Sequence, residues 1–225
     1  MNEILEIKNV TKYYGKGSVV TKALDGISFS VEKGEFTAIM GASGSGKSTL
    51  LNVISTIDRV SSGEIFIEGA RLTEMEEKQL ANFRRDQLGF IFQEYNLLDT
   101  LTIGENILLP LNLQRKSHED ADRELVRVSE ALGVSDQLSK FPYELSGGQR
   151  QRAACARAII TNPALVLADE PTGALDSKSA QMLLESFETL NQMLSTTIMM
   201  VTHDAFTASY CHRILFIKDG KLFHE

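Results

Sequence analysis

Cysteine is scarce in this chain, and its scarcity rules out whole chemistries. Only Cys155 and Cys211 are present among 225 residues, far apart and in no C-x-x-C pair. Neither a disulfide framework nor a cysteine metal site is expected, and both read as reduced thiols of a cytosolic protein. Long hydrophobic runs are missing too: none approaches the ~20 residues that cross a bilayer. If the protein acts at a membrane, another chain must supply the spans. The start, Met1-Asn2-Glu3-Ile4, lacks the basic opening and apolar stretch of a secretory signal. Basic charge is in deficit, with 23 Lys and Arg against 30 Asp and Glu, a net −7 that argues against nucleic acid as a partner. Internal repeats and low-complexity tracts are absent. What remains, 43% hydrophobic and 24% charged, is ordinary for a globular protein with one large domain or a core bearing an inserted lobe.

One stretch organises the rest: Gly41-Ala42-Ser43-Gly44-Ser45-Gly46-Lys47-Ser48-Thr49, a complete G-x-x-x-x-G-K-S phosphate loop. The apolar run 36–40 reads as the buried strand that feeds it, and 49–54 as the helix that leaves it. Gly41, Gly44 and Gly46 let the backbone turn tightly and aim its N–H groups, with Ser43 and Ser45, at phosphate oxygens near the positive end of the helix. Lys47 is placed to reach the β- and γ-phosphates, and the Ser48 hydroxyl to ligate Mg²⁺.

Around this loop the chain alternates two kinds of strand. Residues 5–10, 27–31 and 64–69 alternate apolar and polar, as antiparallel strands with one wet face do. Residues 12–17 read as a turn carrying Tyr13 and Tyr14, either of which suits stacking on adenine or covering a sheet edge. Residues 88–92, 164–168 and 197–201 are short apolar runs suited to buried parallel strands. The stretch 74–86 is charged and helical. Between residues 94 and 142 no strong strand appears, and 103–113 and 119–132 carry helical periodicity. This predicts a helical lobe at 94–142 inserted between core segments 1–93 and 143–225. Helices are expected at 150–160 and 177–193, and a closing hairpin from 213.

Asp169 and Glu170 end the strand 164–168, at the edge where open α/β sheets bind ligands. Asp169 is the expected Mg²⁺ carboxylate, direct or through water, and Glu170 the group that orients and deprotonates a water aimed at the γ-phosphate. His203 follows the next apolar strand and is placed to hydrogen-bond the γ-phosphate. Gln93 ends its strand at the junction with the lobe, suited to Mg²⁺ or the attacking water. Leu145-Ser146-Gly147-Gly148-Gln149 is similar to a second anion-binding helix start. A chain with two phosphate cradles but one set of Mg²⁺ carboxylates suggests two copies closing head to tail over two ATP molecules.

Together these residues resemble the ATPase subunit of an ATP-binding cassette (ABC) transporter, over essentially the whole chain. The resemblance rests on the phosphate loop, Gln93, the LSGGQ signature, Asp169-Glu170, Gly173-Ala174-Leu175-Asp176 and His203. It implies an α/β fold: a P-loop NTPase (RecA-like) core with an N-terminal antiparallel β layer and an inserted α-helical lobe. It further implies Mg-ATP hydrolysis, with Ser146, Gly147, Gly148, Gln149 and Asp176 contributing to the nucleotide sites of a dimer. Tyr14 matches the family's adenine-stacking aromatic better than Tyr13. Within the family, 89–102, 52–58 and 205–210 are especially similar to the bacitracin-resistance group, related to lipoprotein-release and macrolide-export ATPases. That similarity implies a transmembrane permease as partner, a link to a sensor kinase, and residence at the cytoplasmic face of the membrane. It also implies resistance to peptide antibiotics that target the cell wall. That group usually has a further C-terminal extension, so this chain is expected to be a short or trimmed member. The rival expectations are a lipoprotein-release or cell-division-type ATPase signalling through a membrane partner, and a soluble P-loop kinase.

Overall fold

Two sheets of unlike kind carry the chain, and the spacing of its apolar residues decides which is which. The computed structural model describes residues 3–16 and 19–223. In order they form β1 (Glu3–Lys16), β2 (Val19–Glu32), β3 (Phe36–Met40), α1 (Lys47–Ile54), β4 (Ser62–Ile67), β5 (Ala70–Arg71), α2 (Glu77–Gln87) and β6 (Leu88–Phe92). Then come α3 (Ile103–Leu113), α4 (His118–Ala131), α5 (Gly147–Ile159), β7 (Leu165–Asp169) and α6 (Ser177–Leu194). The chain closes with β8 (Ile198–Thr202), α7 (Ala205–Ala208), β9 (Arg213–Lys218) and β10 (Lys221–Phe223).

The first sheet, β2-β1-β4-β5, is antiparallel; the second runs β10-β9-β3-β8-β7-β6, parallel except for β10. The α/β fold expected from the sequence is thus observed, with its antiparallel layer beside a parallel core. Alternate residues of the parallel strands serve two cores. Leu165, Leu167, Met199 and Val201 pack with α1 and the antiparallel sheet, whereas Val166, Ala168, Ile198 and Met200 pack with α3, α5 and α6. Phe36 meets Phe187 of α6 edge-on, centroids 6.2 Å apart. With both faces covered, these strands tolerate no alternation to polar residues, which is why they read as continuous apolar runs.

Three local expectations are corrected. The turn expected at 12–17 is strand through Lys16: Tyr13 pairs with Lys22 and Tyr14 with Thr21, so the ladder to β2 carries both tyrosines. Gly17 lies outside the described residues. The helix expected over 74–86 is a 3-10 turn at Leu72–Glu74 followed by α2, because Met75 and Glu76 are extended. Gln79 then restarts the helix by accepting from the Glu76 N–H at 2.9 Å. The helix expected from 150 begins at Gly147, with Ser146 as its N-cap. Between β6 and α5, Asn106 is fully buried and organises the connecting loop. Its Oδ1 accepts from the Leu98 N–H at 2.7 Å, and its Nδ2 donates to the carbonyls of Leu98, Leu101 and Thr102.

Candidate functional site

The site begins with a helix whose start is left open. α3, α4, α5, α6 and α7 each begin on a side chain that accepts a backbone N–H: Thr102, Ser117, Ser146, Asp176 and Asp204. α1 begins on Gly46, at φ +109, with no side-chain cap and no acidic residue in its first turn. Its first N–H groups have no helical acceptor and point at solvent, where an anion would take them. Glycine is required here. A Cβ on Gly46 would stand 2.4 Å from the Ala23 carbonyl oxygen, and one on Gly41 2.2 Å from that of Ile217.

A cleft of about 550 Å³ opens over this helix start. Ser43, Gly44, Gly46, Lys47, Ser48 and Thr49 line it from the loop, and Glu170 and His203 from the ends of β7 and β8. The structure therefore brings Glu170 and His203 to the loop, His203 from more than 150 positions away. It also adds Thr21, Lys22 and Ala23 from β2, which sequence reasoning missed. No local motif marks them; they reach the cleft only through the β1–β2 register.

The ammonium of Lys47, 6% exposed, donates to the carbonyls of Gly41 and Ala42 at 2.8 and 2.9 Å. Such charge-assisted bonds are worth about 1.5–3 kcal/mol each, so only a comparably strong acceptor, such as a phosphate, would draw Lys47 away. The Ser45 hydroxyl is buried without a hydrogen-bond partner among the described residues. Half-buried Asp169 has its pKa raised, first by desolvation and then by the charge of Glu170, with Lys47 opposing. Glu170 sits at φ +44, its N–H donating to the Val201 carbonyl at 2.9 Å, and its Oε1 lies 3.0 Å from His203 Nδ1. The His203 side chain is 64% exposed, so this bond is weak and free to exchange.

The donor set fits a nucleotide arriving with its metal. Among the described residues no group of three or more His, Cys, Asp or Glu could hold a metal ion alone. A magnesium site built from one or two carboxylates and completed by phosphate oxygens needs no more than Asp169 and Ser48. The raised pKa of Asp169 marks a carboxylate that a nearby cation would relieve.

Other candidates stand apart from the cleft. Gln93 is exposed and its amide lies against Gly173, where a Cβ would come within 3.0 Å of Nε2. Ser146 to Gln149 and Asp176 do not line the cleft. Ser146 Oγ accepts from the Gln149 N–H at 3.3 Å while Gln149 Oε1 accepts from the Ser146 N–H at 3.0 Å. The signature thus caps its own helix and leaves the N–H groups of Gly147 and Gly148 at the open end. Asp176 caps α6 by accepting from the Ser179 N–H at 3.0 Å. Neither tyrosine lines the cleft. Tyr14 flanks it beside Thr49, with its hydroxyl on Asp58 at 2.7 Å, and Tyr13 bonds Asp25 at 3.2 Å.

The family description "ABC transporter" matches residues 24–173. The ABC transporter ATP-binding protein YxdL of Bacillus subtilis is 55% identical over 225 residues, covering 100% of this chain and 87% of that one. The bacitracin export ATP-binding protein BceA of Halalkalibacterium halodurans is 56% identical over 222 residues, covering 99% of this chain and 88% of that one. The dimeric ATP-binding cassette MJ0796 of Methanocaldococcus jannaschii, in a post-hydrolysis state bound to ADP and Pi, superposes with a TM-score of 0.87. It is 38% identical and covers 98% of this chain and 97% of that one.

Proposed function

The chain belongs to the ABC transporter family and is an ATP-hydrolysing subunit, and from that premise we propose how its residues divide the work and what the transporter handles. The observation that carries the reading is the split between the two cradles. One cleft holds the open loop, Glu170 and His203, while the signature glycines sit elsewhere with their N–H groups unclaimed among the described residues.

The N–H groups at the start of α1 and Lys47 bind the phosphates. Ser48 and Asp169 would hold Mg²⁺, joined by Gln93. When bound with the nucleotide, the ion would supply charge neutralisation to the phosphates. Glu170 accepts the proton of the attacking water, and His203 exchanges its exposed 3.0 Å contact with Glu170 for a hydrogen bond to the γ-phosphate. Gly147, Gly148 and Ser146 of a second copy close over the γ-phosphate, so hydrolysis requires the dimer. Tyr14 stacks on the adenine.

A permease takes up the motion. A cleft of about 300 Å³ between β6, α3 and α5 presents Phe90, Phe92, Leu109 and Leu113 among Arg84 and Arg157, suited to an amphipathic cytoplasmic helix. The segment 94–102 does not line this cleft. Arg157 nevertheless ties it to α5 by donating to the Tyr95 carbonyl at 2.9 Å. No described helix is long and apolar enough to cross a membrane, so the protein would sit at the cytoplasmic face through that permease, with a sensor kinase as a further partner.

The similarity to a bacitracin export ATPase makes peptide antibiotics acting on lipid-linked wall precursors the proposed substrate class. Deleting the gene should lower the minimal inhibitory concentration of such peptides. The wild-type gene should restore it, and Glu170→Gln should not. Unchanged values in the deletion strain, with lipoproteins retained in the inner leaflet or division arrested, would refute this substrate class in favour of a lipoprotein-release or division role.

A further inference from the structure

Where β1 passes the end of α1, Lys12, Tyr14 and Asp58 form a closed triangle. Lys12 Nζ donates to Asp58 Oδ1 at 2.6 Å and to the Arg59 carbonyl at 2.7 Å. Tyr14 donates its hydroxyl to the other carboxylate oxygen, Oδ2, at 2.7 Å. The same ammonium stands 4.8 Å from the centroid of the Tyr14 ring. Lys12 is withdrawn from solvent, its side chain 12% exposed, whereas Tyr14 stays 41% exposed. One face of the ring is thus backed by a cation and its hydroxyl is pinned beside Thr49, which lines the phosphate cleft, while the ring itself stays part-exposed.

The charges suit this role. Desolvation works against ionisation of Asp58, yet hydrogen bonds from Lys12 and Tyr14, the Arg59 N–H and the Lys12 charge hold its carboxyl below the usual range. Burial, then the bond to Asp58 and its charge, raises the Tyr14 phenol, which therefore stays a donor. Tyr13 is held more loosely: its bond to Asp25 is 3.2 Å, and Lys22, 60% exposed, stands 5.5 Å over its ring.

We propose that Asp58 and Lys12 are positioning residues that fix the Tyr14 ring for the purine before nucleotide arrives. This rests on the reading of Tyr14 as the base-stacking aromatic. A ring already ordered spares the nucleotide the entropy of immobilising a side chain at the cleft edge. The contribution therefore falls on the base and not on the phosphates.

Calorimetric titration of ADP and of inorganic pyrophosphate separates the two. Asp58→Ala should weaken ADP about three- to tenfold, the scale of ordering one side chain, and leave pyrophosphate affinity unchanged. Tyr14→Phe, which keeps the ring and loses the donor, should weaken ADP in the same direction. In a Tyr14→Ala background, Asp58→Ala should add nothing. Equal weakening of ADP and pyrophosphate would overturn the proposal by showing that Asp58 merely supports α1. Additive losses in the double variant would overturn it as well. If Tyr14→Ala itself leaves ADP affinity intact, the stacking reading falls and takes the proposal with it. If Tyr14→Ala weakens ADP but Asp58→Ala does not, only the positioning role falls.

Discussion

Two glycines of the phosphate loop, two residues apart, should respond very differently to the same added methyl group. Gly44 has φ +77 and open space where a Cβ would stand; Gly46 has φ +109 and the Ala23 carbonyl oxygen 2.4 Å from that position. Gly44→Ala thus carries only left-handed strain, about 1–2 kcal/mol. Gly46→Ala carries that strain plus an overpacking cost of about 1–3 kcal/mol, because the obstacle is backbone and cannot rotate away. For a chain of this size each kcal/mol moves the melting temperature about 2–4 °C. Gly46→Ala should therefore melt roughly 6 °C below Gly44→Ala. Displacing Gly46 also tilts the N–H groups that open α1. ADP at a hundred times its wild-type Kd stabilises the wild type by about 2.7 kcal/mol, and that gain should largely vanish in Gly46→Ala. Thermal unfolding of both variants, with and without ADP, reads each quantity. Equal melting temperatures, or a full ADP-induced rise in Gly46→Ala, would refute the steric account of the loop.

Glu170→Gln should lower hydrolysis about 10²–10⁴-fold, the range for a lost general base, and trap an ATP-bound dimer on size exclusion; near-normal turnover would remove Glu170 from that role. Ser146→Arg should leave nucleotide binding to the monomer intact yet abolish turnover, and wild-type specific activity should rise with protein concentration. Activity independent of concentration in a monomeric sample would contradict the shared site. Asp169 has a folded pKa above its unfolded one, so its ionisation costs stability once pH exceeds the unfolded value. At pH 7 Asp169→Asn should raise the melting temperature of the nucleotide-free chain while abolishing hydrolysis, and a lower melting temperature would reverse the assigned sign. Burial pushes the Cys211 thiol up to about 12 and the Cys155 thiol further. Neither should react with a disulfide reagent at pH 8 until the chain unfolds, which absorbance at 412 nm would follow.

Much that depends on neighbours in sequence was legible in advance, though the break at Met75–Glu76 and the start of α5 at Gly147 were not. The phosphate loop, with strand and helix on either side, was readable because its glycines and Lys47 act within nine residues of chain. The parallel strands were readable because burial on both faces leaves an apolar run with no alternation, as at Leu165–Asp169 and Ile198–Thr202. The side chains that meet across the fold were not. Tyr13 and Tyr14 sit on a strand and not a turn because pairing with β2 outweighs the local preference around Gly15. Thr21, Lys22 and Ala23 reach the cleft through that same register, and Asp58 reaches Tyr14 only where α1 ends beside β1. A hydrogen bond over 44 positions leaves no periodicity in the sequence, since its geometry exists only once two sheets have packed on one helix. The nature of the site was therefore written in contiguous residues, while its walls, its clamp on Tyr14 and the bond between Glu170 and His203 were decided by tertiary packing.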